Sequence, residues 1–155
     1  MGTGRMITYK TSRLDRLPLD TLKKLKTLTF RNNGVMYDHL EITINRIEHG
    51  NSSINSDEWL VLAYDDKIFQ TKPIGWSMSF SVYRKSNRKL VSFIGVFVKK
   101  KYRRKGIGTI LVKQLDSILK SKKVKQLVVS PHDKTSIVFY KSLGAKEGKV
   151  DYTIG

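Results

Sequence analysis

Three residues spaced for anion chemistry stand in the second half of the chain, Arg103-x-x-Gly106-x-Gly108, inside the stretch Val91 to Thr109, VSFIGVFVKKKYRRKGIGT. A guanidinium followed by two glycines suits a phosphate. Glycine has no Cβ, so an anion comes close to the backbone and unusual dihedrals are open. If a helix starts at that point, its first N–H groups are unpaired and its end carries partial positive charge, which attracts anions. The pattern is not the dinucleotide-binding G-x-G-x-x-G, because residue 111 is Leu, and it is not a P-loop, because no Gly-Lys-Ser/Thr follows.

Two elements must position this turn. Upstream, five of the six residues from Phe93 to Val98 are apolar, with Gly95 the gap, as in a strand buried on both faces. Downstream, Ile110, Leu111, Leu115, Ile118 and Leu119 lie at helical spacing, with Lys113, Gln114, Asp116 and Lys120 between them. The reading is a central strand over Leu90 to Val98, a basic turn, and a helix from about Gly106 to Ser121.

The rest of the chain supplies a frame. Met6 to Ser12 reads as a short strand. Pro18 and Asp20 mark a helix start, with Leu19, Leu22, Leu25 and Leu28 following at steps of three. A second helix is expected from Asp38 to His49, with Leu40, Ile44 and Ile47 as its buried stripe, and a polar loop over 49–57. Glu58 to Tyr64 reads as a strand and Asp65-Asp66-Lys67 as a turn. From Pro73 to Tyr83, Ile74, Trp76, Met78, Phe80 and Val82 alternate with Gly75, Ser77, Ser79 and Ser81, which predicts an antiparallel strand with one wet face. Arg84 to Lys89 is a basic turn. Gln126 to Ser130 is a buried strand that Pro131 stops. Asp133 suits the N-cap of a helix through Ser142, Gly144 its C′ position, and Lys149 to Ile154 a last strand. The predicted order is β, α, α, β, β, β, α, β, α, β.

A chain of 155 residues is read as one domain over 1–155. It contains no cysteine, which excludes disulfides, thiolate zinc sites and a cysteine nucleophile. No apolar run reaches the roughly 20 residues that span a bilayer, and the N-terminus lacks the apolar centre of a signal peptide, so a cytoplasmic protein is expected. The net charge of +17 is unevenly placed: residues 84–125 hold fifteen basic residues against one acid, Asp116, a net of +14. That concentration predicts a positive face for polyanions, set against the plainer reading of a lysine-rich soluble surface.

Two stretches together resemble a family. Val98-x-x-x-x-Arg103-x-x-Gly106-x-Gly108 resembles the acetyl-CoA motif of the Gcn5-related N-acetyltransferases (GNAT). FYKSLGAKE, 139–147, resembles that family's second signature, a helix that carries a tyrosine and ends before Gly-Phe or Gly-Ala. The resemblance is close over 90–147 and loose before it. It implies an α/β (α+β) GNAT-like fold: a mixed, mostly antiparallel sheet of six to seven strands flanked by about four helices, with the fourth and fifth strands splayed.

It also implies roles. The central strand should end in a bulge that leaves the N–H and C=O groups of Val96 and Val98 free for pantetheine. The amides of Arg103, Arg104, Lys105, Gly106, Ile107, Gly108 and Thr109 should wrap the pyrophosphate of acetyl-CoA, with the side chains of Arg103, Arg104 or Lys105 reaching phosphate. A neutral amine would attack the thioester between the splayed strands, a strand amide would stabilise the oxyanion, and Tyr140 matches the general acid for the departing thiolate. Tyr140 has a second reading, as a packing residue beside the cofactor.

The sequence departs from the family at three places. Lys100 stands where Pro is frequent, Ser136 where Ala is frequent, and Asp133 where Asn is frequent. Asp133 and Ser136 are counted with the cofactor-binding residues, but an ionised Asp only accepts hydrogen bonds and is repelled by phosphate, so Asp133 has an alternative as a cap alone. The general base is the thinnest part: no Asp or Glu occurs from Lys67 to Leu115. His132 is the nearest titratable candidate, and Glu41 and Glu48 are more distant ones with a solvated helix face as the bland alternative. A water relay or an amine of low pKa needs no base. Tyr37 and Tyr152 are candidates to line the acceptor site. His39 and His49 show no pattern for a metal, and none is expected.

Two functions fit. One is an acetyl-CoA-dependent N-acetyltransferase acting by direct transfer in a ternary complex, on an amine attached to a nucleic acid such as tRNA or DNA, or to an acidic protein surface. The other is a non-catalytic module that binds nucleic acid or a partner through its basic face. Either would be a monomer or homodimer and would act away from a membrane.

Overall fold

A computed structural model describes residues 6–28, 34–50, 58–66, 72–86, 88–131, 133–147 and 152–154. In chain order it contains β1 (Ile7–Arg13), α1 (Leu19–Leu28), α2 (Gly34–Glu48), β2 (Trp59–Asp65), β3 (Gly75–Arg84), β4 (Lys89–Val98), α3 (Ile107–Ser121), β5 (Gln126–Val129), α4 (Lys134–Ser142), β6 (Lys146–Glu147) and β7 (Tyr152–Ile154). Single 3-10 turns lie at Leu14–Arg16 and Lys100–Tyr102. The strands form one seven-stranded sheet in the order β1-β2-β3-β4-β5-β7-β6. Only the β4–β5 pair is parallel, so the sheet is mixed and mostly antiparallel, as expected.

Each face of the sheet carries two helices. Leu22 and Leu25 of α1 and Leu40 and Ile44 of α2 pack on Leu60, Leu62, Trp76 and Met78. On the opposite face Ile107, Leu111, Leu115 and Leu119 of α3 and Tyr140 of α4 pack on Val61, Ala63, Ile94, Leu127 and Val129. Both groups follow from period: steps of three and four on the helices bring one stripe to the sheet, and alternate strand residues divide between the two faces. Trp76 stacks on Phe97 and Phe80 on Phe93 because each couple is directly opposite in the β3–β4 register.

The face of β3 expected to be wet is dry over its first half. Ser77 and Ser79 are fully buried. Ser77 Oγ donates to the Leu111 carbonyl of α3 at 2.8 Å, and Ser79 Oγ donates to the Trp59 carbonyl at 3.2 Å. These small residues alternate with large ones because α3 lies close over them. A Cβ on Gly75 would stand 2.8 Å from the Phe97 carbonyl oxygen and 3.4 Å from Leu111 Cδ1. Small size, read in the sequence as polarity, serves packing.

Other boundaries shift modestly. The second helix starts at Gly34 instead of Asp38, Asp65 belongs to β2 instead of a turn, and the two-residue β6 had no signal in the sequence. The loop over 49–57 and the start of the last strand fall mostly outside the described residues.

Candidate active site

The junction singled out in the sequence forms at the end of β4. Gly106 is the residue before α3 and has φ +80°, a left-handed conformation that suits glycine. No side chain caps this helix and its first turn holds no acid. Its first hydrogen bond runs from Ile110 N–H to the Gly106 carbonyl, so the amides of Ile107, Gly108 and Thr109 have no helical acceptor. Arg104 is also left-handed, at φ +63°. The side chains of Arg103, Arg104 and Lys105 are exposed around these amides, whereas that of Ile107 is buried and contributes only backbone to the turn. The result is a run of free N–H donors at a positive helix end ringed by cations.

Gly108 does not use the unusual dihedrals expected of it. Its backbone is not left-handed; a Cβ there would press on Phe139 Cε1 and Cζ of α4 at 3.3 Å. It lets the first turn of α3 close against α4, while Gly106 alone of the two uses the conformational freedom of glycine.

The turn is fastened from below. Tyr102, between the cations, is buried, and its hydroxyl donates to Asp65 Oδ2 at 2.6 Å. Lys101 Nζ and Lys105 Nζ lie 5.3 and 5.9 Å from the centre of the Tyr102 ring. Sequence reasoning missed Asp65 and Tyr102 as a unit, since one was read as a turn residue and the other as part of a basic run. The rarity of a carboxylate at the end of an apolar strand was the only available signal.

β4 and β5 part as expected. They pair from Val91↔Gln126 to Phe93↔Val128 and no further, although β4 continues to Val98. The bulge is absent: β3 and β4 keep one register from Arg84↔Lys89 to Gly75↔Val98. The free groups arise from the parting itself. Lys99 N–H bonds back toward β3, to Ile74, and Leu90 C=O accepts from Lys125 N–H on the β5 side. Alternation then directs the backbone of Ile94, Val96 and Val98 toward β5, beyond the last β4–β5 pair. The Val98 carbonyl is already taken, however, accepting from Arg103 Nε at 2.8 Å. Arg103 therefore braces the strand end, with its guanidinium 5.9 Å from the Phe97 ring, and only its remaining donors are available to an anion.

Tyr140 is 6% exposed, in the core group that also holds Ile94 and Ile107, with Val96, Val98 and Phe139 packed against it. Burial pushes its hydroxyl up to about 12, so it keeps its proton throughout the neutral range. Its helix is well closed at both ends. Asp133 Oδ1 accepts from Ser136 N–H at 2.8 Å and Ser136 Oγ accepts from Asp133 N–H at 3.1 Å, a reciprocal capping box. Asp133 and Ser136 thus have structural work at the helix start. At the other end Gly144, at φ +91°, allows Ala145 N–H to reach the Tyr140 carbonyl and Gly144 N–H the Lys141 carbonyl.

Of the base candidates, only Glu41 and Glu48 belong to the described residues. His132 lies outside the described residues, as do the side chains of Tyr37, His39 and Tyr152. Glu41 and Glu48 face α1, where Lys26 Nζ and Lys23 Nζ stand 3.8 and 3.0 Å from their carboxylates. A cavity of about 470 Å³ lies further along α3, lined by Thr109, Lys113, Asp116, Leu127, Ser142 and Ile154 among others. It shares only Thr109 with the expected residues, so it adjoins the glycine turn without containing it.

Comparison with known proteins agrees with this geometry. The model of the acetyltransferase (GNAT) family matches residues 21–145. No curated protein matches the chain. Among solved structures, the chain is similar to an aminoglycoside acetyltransferase from an uncultured soil metagenome, solved with trehalose, at 19% identity and TM-score 0.65 over 93% of this chain and 92% of that one. It is similar to NAA60 of Arabidopsis thaliana, solved with acetyl-CoA, at 15% identity and TM-score 0.67 over 96% of each chain. It is also similar to a chain of the NatC complex bound to Gag peptide and CoA, at 15% identity and TM-score 0.70, covering 96% of this chain and 97% of that one. At these identities the likeness is one of fold.

Proposed function

Because the chain belongs to the acetyltransferase (GNAT) family, we propose that it transfers an acetyl group from acetyl-CoA to a primary amine, by direct attack within a ternary complex. One observation carries this reading: β4 and β5 part next to an uncapped, acid-free helix start whose amides are free. The residues present fit acetyl-CoA. The amides of Ile107, Gly108 and Thr109, with Arg104, Lys105 and the spare donors of Arg103, would hold its diphosphate, and the Val96 backbone would meet the pantetheine amides. Acetyl-CoA supplies the chemistry of a thioester, an acyl carbon open to an amine and a sulfur leaving group.

The chain's own residues then set the electrostatics. Amides of β4 that face the gap can stabilise negative charge growing on the acyl oxygen. Tyr140 holds a proton at Oη and can donate it as a hydrogen bond where charge gathers on sulfur. An ordinary thiol has a pKa of about 8.5, so full transfer from a hydroxyl near 12 runs uphill by roughly 5 kcal/mol. Tyr140 is therefore better suited to hydrogen-bonding the leaving sulfur than to parting early with its proton. With Glu41 and Glu48 engaged by α1 lysines, the proton passes to His132 or to water, or the amine arrives neutral.

The acceptor class follows from charge. The net of +14 over residues 84–125 exceeds what one CoA requires, which supports an amine linked to a nucleic acid or an acidic macromolecule and disfavours polycationic amines. Tyr140→Phe is the test: transfer should slow by about 10²-fold while acetyl-CoA affinity stays within twofold. Unchanged transfer would remove Tyr140 from the chemistry. A second reading, a non-catalytic module binding through its basic face, is favoured by the absence of a carboxylate from Lys67 to Leu115. Under it, mass spectrometry after incubation with labelled acetyl-CoA and candidate amines would find no acetylated product with either protein.

A further inference from the structure

The fifteen basic residues of 84–125 do not form one face. β4 separates them. Lys99, Lys100, Lys101, Arg103, Arg104 and Lys105 follow its last residue, whereas Arg84, Lys85, Arg88 and Lys89 precede it in the β3–β4 hairpin. Lys120, Lys122, Lys123 and Lys125 join the hairpin end, because Lys125 N–H bonds to the Leu90 carbonyl at 2.8 Å. A ten-residue strand is about 30 Å long, too far for one CoA-binding turn to use both groups.

The hairpin end has three further features. Among the described residues, no carboxylate lies within ion-pair distance of Arg84, Lys85, Arg88, Lys122, Lys123 or Lys125, while α1 cations pair with Asp20, Glu41 and Glu48. Second, Tyr83 is 56% exposed there, an aromatic residue that directly precedes the hairpin cations in the chain. By alternation it lies on the α3 face of β3, as Ser77 does, and on that face Lys122 Nζ stands 5.2 Å from the Trp59 ring centre. Third, the left-handed non-glycine residues of the described chain are Arg88, Arg104 and Lys123, all cations. Two of them sit in the turns of this end, where glycine would be unstrained and chargeless.

We propose that the hairpin end is a docking surface for single-stranded nucleic acid, with Lys85, Arg88, Lys122, Lys123 and Lys125 along the phosphates and Tyr83 stacked on a base. An exposed ring at an end whose cations meet no carboxylate among the described residues favours unstacked bases over an acidic protein, which offers carboxylates but no π-face to stack. The inference rests on the proposed acceptor class for its place in the reaction: the docked strand is held roughly 20 Å from the β4–β5 gap that would hold the acetyl group, so the acceptor would be a polymer whose amine lies that far from the docked segment. Binding itself needs no acetyl transfer.

The test is fluorescence anisotropy of a labelled 20-nucleotide oligo(rU) with the full chain, without acetyl-CoA, from 50 to 300 mM NaCl. Five phosphate contacts on a single strand give a slope of log K against log salt of about −3.5, and replacing Lys122, Lys123 and Lys125 by Ala should bring it to about −1.4. Tyr83→Ala should weaken binding about tenfold with the slope unchanged. Saturating acetyl-CoA should leave oligonucleotide affinity within twofold. All four altered residues are exposed, and matching melting temperatures would verify that the variants fold. No binding at 50 mM NaCl, a neutral Tyr83→Ala, or displacement by acetyl-CoA would each overturn the proposal. Polyglutamate bound as tightly as oligo(rU) would also overturn it, in favour of an acidic protein. Failure here with acetyl-CoA binding intact leaves the transferase reading standing; loss of acetyl-CoA binding with oligo(rU) binding intact does the reverse.

Discussion

Tyr140 is a side chain whose environment can be read directly as chemistry. Its hydroxyl titrates near 10 in an unfolded chain and near 12 when folded, because burial disfavours the phenolate. Below pH 10 neither state ionises and there is no effect on stability. Between pH 10 and 12 the unfolded chain gains by ionising and the folded chain does not, so stability falls by about 1.4 kcal/mol per pH unit, about 3 kcal/mol in all. Tyr140→Phe should lack that component, and urea midpoints at pH 9, 10 and 11 would show a shallower decline; parallel declines would mean the hydroxyl titrates normally. The same pKa shapes the rate. Transfer should climb with pH as the amine loses its proton and then level off. A descending limb between pH 8 and 10 would identify some other group as the acid.

At the scale of elements, two contacts hold the glycine turn to the sheet. Tyr102 bonds to Asp65 across two elements, and removing the hydroxyl takes a donor away from a buried carboxylate. Tyr102→Phe should cost about 1–3 kcal/mol. It should also raise KM for acetyl-CoA several-fold with a smaller change in kcat, because the loosened part is the anion-binding turn; steady-state kinetics would show the split. Gly75, opposite Val98 in the last β3–β4 pair, is the second contact. An alanine there meets the Phe97 carbonyl at 2.8 Å, and backbone on both strands must move. Gly75→Ala should lower stability by about 3 kcal/mol in chemical denaturation. An ordinary melting curve would show that the strands can open without loss.

For the molecule as a whole, a charge of +17 on 155 residues works against compactness. Raising NaCl from 20 to 300 mM screens this repulsion and should raise the melting temperature, by roughly 3 °C for each kcal/mol recovered in a chain of this size. Calorimetry at the two salt levels would check it, and a fall in melting temperature would show the ion pairs of α1 and α2 to dominate instead.

Much of this was legible because its causes are local. The helix of Leu111, Leu115 and Leu119, the Asp133 cap, the Gly144 stop and the glycine-spaced turn each depend on residues a few positions apart, and so does the pattern that marks the family. What lay beyond reach depends on residues far apart in the chain. Ser77 and Ser79 looked solvated until α3 covered them. Asp65 looked like a turn until Tyr102, 37 residues on, came to it. One basic run became two ends because a strand about 30 Å long lies in its middle. The sequence by itself determined the elements and the anion-binding junction; tertiary packing alone decided which polar groups are buried and where the charge stands, since both are distances across the fold and no local pattern encodes them.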